Sequence, residues 1–150
     1  MFRGANTVNM DGKGRLVFPT KYREQLSAHC GNELIATIDL VLPCLLLFPI
    51  PEWEKLEHEL MALSNTNTIH ARIKRILLSH ATDVELDKSG RLLIPGMLRN
   101  HASLDKQVVL AGQGRTFQLW DAESWHAQIK ADIEAHQVDL EKEDLPDLSF

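Results

Sequence analysis

The sequence lacks several features that would assign a chain of 150 residues to a familiar class. It has two cysteines, Cys30 and Cys44, which form no CxxC pair, so a disulfide scaffold and a zinc site are both disfavoured. The longest apolar run, residues 40–50, contains two prolines and is shorter than the roughly 20 residues that a membrane span needs. Asp11 stands where an export signal would be apolar. We therefore expect a protein of the reducing cytoplasm.

Sequence signatures of catalysis and of cofactor binding are also missing. The seven histidines show no HExxH or comparable spacing, and the glycines at positions 12 and 14 lack the GxxxxGK[ST] pattern of a phosphate loop. The cysteines have no nucleophile context and are interpreted as buried small hydrophobes. The sequence therefore predicts no catalytic residue, no metal and no cofactor, and we expect that the chain is not an enzyme.

Charge is distributed unevenly along the chain. The net charge is −5, but residues 132–150 hold seven acids and one base. Residues 1–26 and residues 70–101 each carry a net charge of +3. Such alternation is compatible with a local nucleic-acid-binding face, although ordinary solvated charge gives the same pattern. The acidic segment from about Val138 lacks apolar periodicity and contains Pro146, which predicts a mobile tail.

A repeated motif dominates the sequence. Residues 11–23, DGKGRLVFPTKYR, recur as residues 87–99, DKSGRLLIPGMLR, with six identities in thirteen positions. Average amino-acid usage gives about one identity by chance. A second pair, LFPIPEW at 47–53 and LWDAESW at 119–125, matches at its first and last residues. The chain is therefore interpreted as a tandem duplication.

Each copy predicts the same order of secondary structure. The Asp-Gly step and second glycine of residues 11–14 suit a tight hairpin turn, and apolar periodicity predicts the strands and amphipathic helices that follow. Strands are predicted at residues 5–9, 15–18, 33–38 and 44–48 in the first copy and at 82–85, 91–94, 107–111 and 116–120 in the second. Helices are predicted at residues 20–28, from 52, around 69–77 and at 122–135.

The duplication also sets the expected domain organisation. We expect a first repeat at 5–52, connecting helices at 53–80, a second repeat at 81–124, and a C-terminal helix with an acidic tail at 125–150. A unit of about 45 residues buries too little core alone, so the two units should bury each other's apolar faces. The predicted fold is α+β and β-rich, a compact barrel with pseudo-two-fold symmetry and peripheral helices.

The pattern D-x-x-G-R-L-x-x-P-x-x-x-R, present twice, resembles the AbrB-like superfamily of swapped-hairpin DNA-binding proteins. With FRG at 2–4, LLLFPIPEW at 45–53 and LLSHATDVELDKSGRLLIP at 77–95, the chain is most similar to its tandem-repeat regulators, which are encoded with bacterial division and cell wall genes. The resemblance implies two AbrB-like units in a double-ψ-type barrel. It also implies a ring of chains that binds G-rich direct repeats in its own promoter, usually as a repressor.

Basic residues near the repeated turns are the candidate DNA contacts. Arg15 is the strongest, because an arginine beside a glycine turn can present its planar guanidinium to phosphate or to guanine. The resemblance implies contacts at Arg15, Arg23, Arg91 and Arg99. The full candidate set is Arg3, Lys13, Arg15, Lys21, Arg23, Lys88 and Arg91. Val8 and Glu24 occupy two other positions that are basic in the family pattern, so its contacts transfer only in part.

These residues also have structural interpretations. Asp11 can pair with Arg15 simply to hold the hairpin, and the equivalent pair can do so in the second copy, where Ser89 replaces a lysine. Both roles can coexist, because a carboxylate that orients an arginine leaves its outward donors available. Arg23 can equally lie on a solvated helix face. The predicted structural residues of the turns are Asp11, Gly14, Asp87 and Gly90.

The expected partners are double-stranded DNA and further copies of the chain, and no membrane association is expected. The expected location is the nucleoid. Apolar residues of the outer helices should form a heterologous contact that closes a ring. They are Trp53, Leu56 and Leu60 in one copy and Trp125 and Ile129 in the other. The alternative is a protein-interaction module of antitoxin-like type on the same barrel, which would not require Lys13 and Arg15 at an exposed turn.

Overall fold

The computed structural model describes residues 1–142 and 145–150. Glu143 and Asp144, two acids of the predicted tail, lie outside the described residues. Strands β1 to β8 span Ala5–Asn9, Arg15–Val17, Glu33–Ile38, Leu45–Pro49, Thr82–Glu85, Arg91–Leu93, Gln107–Gly112 and Phe117–Asp121. Helices α1 to α5 span Thr20–Cys30, Ile50–Met61, Thr68–Leu77, Gly96–His101 and Ala122–Asp139. No helix in these described ranges is both long enough and apolar enough to cross a membrane.

Strand pairing exchanges elements between the two repeats. Strand β1 of the first repeat pairs with β7 of the second, and β5 of the second pairs with β3 of the first. The equivalent strands β4 and β8 join the halves into one antiparallel sheet of order β1-β7-β8-β4-β3-β5. The other equivalent strands, β2 and β6, form a separate two-stranded antiparallel ribbon. The repeats are therefore related by a pseudo-two-fold axis that passes between β4 and β8 and between β2 and β6.

The architecture is mixed α+β and β-rich, as predicted, but main-chain hydrogen bonds do not close a barrel. The six-stranded sheet ends at β1 and β5. Within the described part of the chain, one isolated bridge, Met10 to Leu16, ties the ribbon to this sheet. The ribbon strands are three residues long and bond to each other, so they leave the sheet edges open.

The main core lies between the sheet and the ribbon and contains side chains of both repeats. Leu16 and Leu92, which face each other in the ribbon, are buried. The rings of Phe18 and Tyr22 from the first repeat pack edge-on against Phe117 of the second, at centroid distances of 5.6 and 5.1 Å. Each repeat therefore buries the apolar face of the other, which a single unit of this size could not achieve.

The outer face of the sheet is covered by helices, and here two predictions are wrong. Trp53 and Leu60, expected on an exposed contact face, are buried, because α3 folds back over α2 and packs Leu77 against them. The last helix, predicted to end at residue 135, continues to Asp139, since Pro146 lies too far along the chain to stop it earlier.

Helix α5 is less completely covered than α2. Trp125 is half-buried against Trp120, with a ring centroid distance of 5.8 Å. Beyond it, Ile129 is half-buried and Ile133 is exposed. The apolar faces of the two equivalent helices therefore differ in exposure, although their sequences predict similar faces.

Candidate nucleic-acid interface

The turn of the first repeat is organised by the carboxylate of Asp11. One carboxylate oxygen accepts the main-chain N–H groups of Lys13 and Arg15, both at 2.9 Å. The other oxygen accepts a hydrogen bond from Nε of Arg15 at 2.7 Å. Gly14 closes the turn by donating its N–H to the carbonyl of Asp11. These bonds favour the ionised carboxylate and lower the pKa of Asp11 to about 2, with the main-chain N–H of Arg15 as the largest cause.

The turn of the second repeat has the same construction. Asp87 accepts the main-chain N–H groups of Ser89 at 2.8 Å and of Arg91 at 2.9 Å. Its second oxygen accepts Nε of Arg91 at 3.2 Å. The main-chain bond from Arg91 lowers the pKa of Asp87. Both ion pairs considered from the sequence are therefore present in the structure.

The ribbon places Arg15 and Arg91 on one surface. In its register Arg15 lies opposite Leu93, and Val17 lies opposite Arg91. Because side chains alternate between faces along a strand, these four residues project away from the buried core. Val17 and Leu93 are exposed, and the two arginine side chains are 38% and 44% exposed. Diagonal neighbours in such a ribbon lie about 7–8 Å apart at Cα, so the arginines form one basic pair.

Exposed lysines extend this basic pair toward both turns. Lys13 lies in the first turn and Lys88 in the second. We call the group formed by Lys13, Arg15, Lys88 and Arg91 the ribbon face. A two-stranded ribbon is narrow enough to enter the major groove of B-form DNA. The ribbon face can therefore offer cationic donors to phosphates and to base edges.

Arg23 and Arg99 lie outside the ribbon face. Nε of Arg23 donates to the carbonyl of Phe18 at 2.8 Å, and Nε of Arg99 donates to that of Ile94 at 2.9 Å. Both arginines are half-buried. The solvated helix face considered for Arg23 is therefore wrong, because its side chain bonds back to the main chain instead of extending into solvent.

Arg3 and Lys21 form a separate group near the amino terminus. The Tyr22 hydroxyl donates to the carbonyl of Arg3, and Nζ of Lys21 lies 4.9 Å from the centroid of the Tyr22 ring. Both basic residues are exposed. No hydrogen bond or ion pair among the described residues connects either side chain to the ribbon face.

The sheet strands that lead into the two turns differ in charge, which the sequence analysis missed. Near the second turn, Glu33 lies directly opposite Glu85, and both side chains are exposed. The equivalent pair near the first turn is neutral, with Asn9 opposite Gln107. Comparing equivalent positions of the two repeats could have revealed this difference, since Glu85 corresponds to Asn9 in the repeat alignment.

The two thiols lie away from the ribbon face. Cys44 is buried and Cys30 is half-buried. Burial raises the pKa of Cys44 to about 12 and also raises the pKa of Cys30, so both favour the thiol form at neutral pH. Among the described residues, no three His, Cys, Asp or Glu side chains are placed together to hold a metal ion.

Comparison with known proteins agrees with the duplicated fold. A family model described as "MraZ protein, putative antitoxin-like" matches twice, at residues 1–76 and 77–146. Relatives named "Transcriptional regulator MraZ" occur in Escherichia fergusonii, Escherichia coli strain K12 and Yersinia pseudotuberculosis serotype O:1b. Each is 51% identical over 152 or 153 residues, with both chains covered completely. The chain therefore belongs to the MraZ family.

Proposed function

We propose that this chain is a sequence-specific DNA-binding transcriptional regulator that represses its own division and cell wall operon. The observation that carries the proposal is the ribbon face, where Arg15 and Arg91 lie diagonally across the ribbon with a lysine in each adjoining turn. The names of the relatives, which are transcriptional regulators, support the same function. The site of action would be the cytoplasm, on the nucleoid.

The geometry of the first turn suits recognition of guanine. Asp11 engages only Nε of Arg15, so the two terminal nitrogens of the guanidinium keep their donors. Within the described residues these terminal nitrogens make no hydrogen bond. Two parallel donors match O6 and N7 of guanine in the major groove, which fits G-rich operator elements. The carboxylate limits the motion of the arginine, so less conformational entropy is lost on binding.

The short ribbon explains why several copies would act together. Three residues in a strand span about 10 Å, which corresponds to about three base pairs of DNA at 3.4 Å each. A site of that size carries little specificity alone. We therefore propose that chains assemble into a homo-oligomeric ring that binds direct repeats, and that its several weak contacts add through multivalency. The proposal takes the sheet and ribbon as walls of a double-ψ-type barrel.

Substitution of Arg15 tests the function. Arg15→Ala should abolish specific binding to the chain's own upstream DNA, because it removes the paired donors, while the melting temperature stays nearly unchanged. Fluorescence anisotropy with that DNA and with a scrambled duplex measures the effect. Arg115→Ala is the matched control, since it removes an exposed arginine from the β7–β8 turn. Equal losses in the two variants, or retained specificity in Arg15→Ala, would contradict the proposal.

The family to which the chain belongs is described as antitoxin-like, which favours one alternative, a protein-interaction module. The same binding assay separates the two functions. If the unmodified chain binds its upstream DNA no better than the scrambled duplex, the DNA-binding function fails and the alternative is favoured.

A further inference from the structure

Two arginines of the repeated motif reach from one repeat to the turn of the other. The side chain of Arg23, in the first repeat, lies over Gly90 of the second. A Cβ placed on Gly90 would lie 2.5 Å from Cζ and 2.8 Å from Cδ of Arg23. Reciprocally, Arg99 lies over Gly14, where a Cβ would lie 2.5 Å from its Nε and 2.7 Å from its Cδ.

Main-chain hydrogen bonds cross between the repeats at the same two places. The N–H of Phe18 donates to the carbonyl of Gly90, and the N–H of Ile94 donates to the carbonyl of Gly14, both at 2.9 Å. The carbonyls of Phe18 and Ile94 are also the acceptors for the two arginine side chains. Each arginine therefore bonds to the carbonyl of a residue whose N–H is bonded to the turn of the opposite repeat.

We propose that Arg23 and Arg99 are positioning residues for DNA binding and are not DNA contacts. Arg23 fixes the second turn and so orients Arg91, while Arg99 fixes the first turn and so orients Arg15. This inference rests on the proposed DNA-binding function. In this inference Arg15 and Arg91 contact DNA, and Arg23 and Arg99 hold the turns that orient them. The family resemblance, by contrast, implies DNA contact for all four arginines.

The chemistry of the contact favours arginine. A guanidinium is planar, so it can lie flat over a residue that has no side chain while its Nε reaches a carbonyl. Lysine keeps the charge but has neither the plane nor Nε. Glycine is required at both turns for two reasons. Gly14 and Gly90 have φ angles of +88° and +74°, which other residues rarely adopt. In addition, the arginine side chains occupy the space that a Cβ would fill.

A double-mutant cycle between Arg23 and Gly90 tests the contact without DNA. Gly90→Ala should lower the melting temperature through backbone strain and through collision with Arg23. In an Arg23→Ala background the collision is absent, so Gly90→Ala should cost less. Gly31→Ala is the matched control, because Gly31 has φ +61° and no atom within 4 Å of its Cβ position. Its effect should be the same in both backgrounds.

The equivalent cycle at Gly14 provides a second check, which also serves if Gly90→Ala fails to fold. A Cβ on Gly14 would also lie 2.7 Å from the carbonyl oxygen of Ile94. Arg99→Ala should therefore relieve Gly14→Ala only in part. Additive effects in both cycles would overturn the proposed contact.

The salt dependence of DNA binding separates a positioning residue from a contact. Loss of a phosphate contact reduces the slope of log affinity against log salt by about 1. Arg23→Ala should weaken specific binding by a similar factor at every salt concentration, with the slope unchanged, and Arg23→Lys should not restore binding. A slope reduced by about 1, or full rescue by lysine, would show that Arg23 contacts DNA.

These outcomes also distinguish the inference from the proposed function. If the unmodified chain shows no preference for its upstream DNA, the DNA-binding function fails. The double-mutant cycles would still decide whether each arginine holds the opposite turn.

Discussion

Asp11 shows how much of this molecule depends on single side chains. Its two oxygens fix the main chain of the turn and the direction of the Arg15 side chain at once. An ionised carboxylate suits this task, because it accepts hydrogen bonds at both oxygens and binds donors that carry charge more strongly than neutral ones. The hairpin and the arginine it presents are therefore organised by the same residue.

The lowered pKa of Asp11 predicts a pH effect on stability. Its folded-state pKa is about 2, against an ordinary value of 3.8. A carboxylate with a lowered pKa stabilises the fold above its unfolded-state pKa, and this contribution is lost as the pH falls through the folded-state value. The melting temperature should therefore fall between pH 4 and pH 2 by less in Asp11→Asn than in the unmodified chain. Circular dichroism melts across this range measure the difference.

Asp147→Asn is the control for this prediction, because Asp147 is exposed and has no hydrogen bond within the described residues. Its pH profile should follow that of the unmodified chain. Identical profiles for Asp11→Asn and the unmodified chain would mean that the hydrogen bonds of Asp11 add nothing to stability.

At the scale of secondary structure, α2 and α5 occupy equivalent positions but have different neighbours. Helix α2 is covered by α3, whose Ile73 and Leu77 complete an apolar cluster on the outer face of the sheet. The described chain beyond α5, which includes residues 145–150, forms no helix that could cover α5 in the same way. Ile133 and Val138 consequently remain exposed. This difference favours α5 as the helix that contacts another copy in the proposed ring.

A charged substitution on α5 tests this assignment. Ile133→Glu should reduce the particle size in sedimentation velocity, because a buried unpaired carboxylate destabilises an apolar interface. Ile69→Glu on α3 is the control, since Ile69 is also exposed and should leave the particle unchanged. Sedimentation of the unmodified chain as a monomer at working concentration would contradict the ring.

At the scale of the whole molecule, pseudo-symmetry of the backbone is combined with asymmetry of charge. Strands β3 and β5, which lead into the second turn, carry the cross-strand pair Glu33 and Glu85 on the face of the sheet away from the ribbon, whereas the equivalent strands near the first turn carry Asn9 and Gln107. Carboxylates near the second turn repel DNA phosphates. The first turn should therefore lie closer to the phosphate backbone, and the two ends should not be equivalent on DNA.

Neutralising the acidic pair tests this asymmetry. The double variant Glu33→Gln, Glu85→Asn should bind DNA more tightly than the unmodified chain at low salt, and the gain should shrink as salt screens the repulsion. Its melting temperature should not fall, because like charges directly opposite in a sheet are destabilising. Anisotropy titrations at several salt concentrations measure the gain.

The control for this charge change is the double variant Glu54→Gln, Glu59→Gln. Both residues are exposed on α2, which lies on the same face of the sheet as Glu33 and Glu85 but is not part of the strands that lead into the second turn. The control makes the same change in net charge far from the ribbon face. Equal gains in the two double variants would show that total charge, rather than its position, controls DNA affinity.

The sequence by itself determined the local structure and the family. Strands β1, β3 and β5 lie at their predicted residues, because alternation and flanking turn residues are local signals. The helices that begin at Thr20 and Ala122 were predicted with the correct first residue, since proline at 19 and the apolar pattern from 122 act within a few residues. The duplicated motif identified both turns and the basic residues beside them.

Only the tertiary structure decided which of these elements meet. Arg15 and Arg91 are 76 residues apart in the chain. They come close together only because β2 pairs with β6. The contact of Arg23 with Gly90, the cover of α2 by α3 and the opposition of Glu33 to Glu85 depend equally on strand exchange. Propensity, capping and periodicity act over a few residues, whereas these contacts form only when two distant segments bury a shared core. The ribbon face is therefore encoded locally in each repeat but assembled by both.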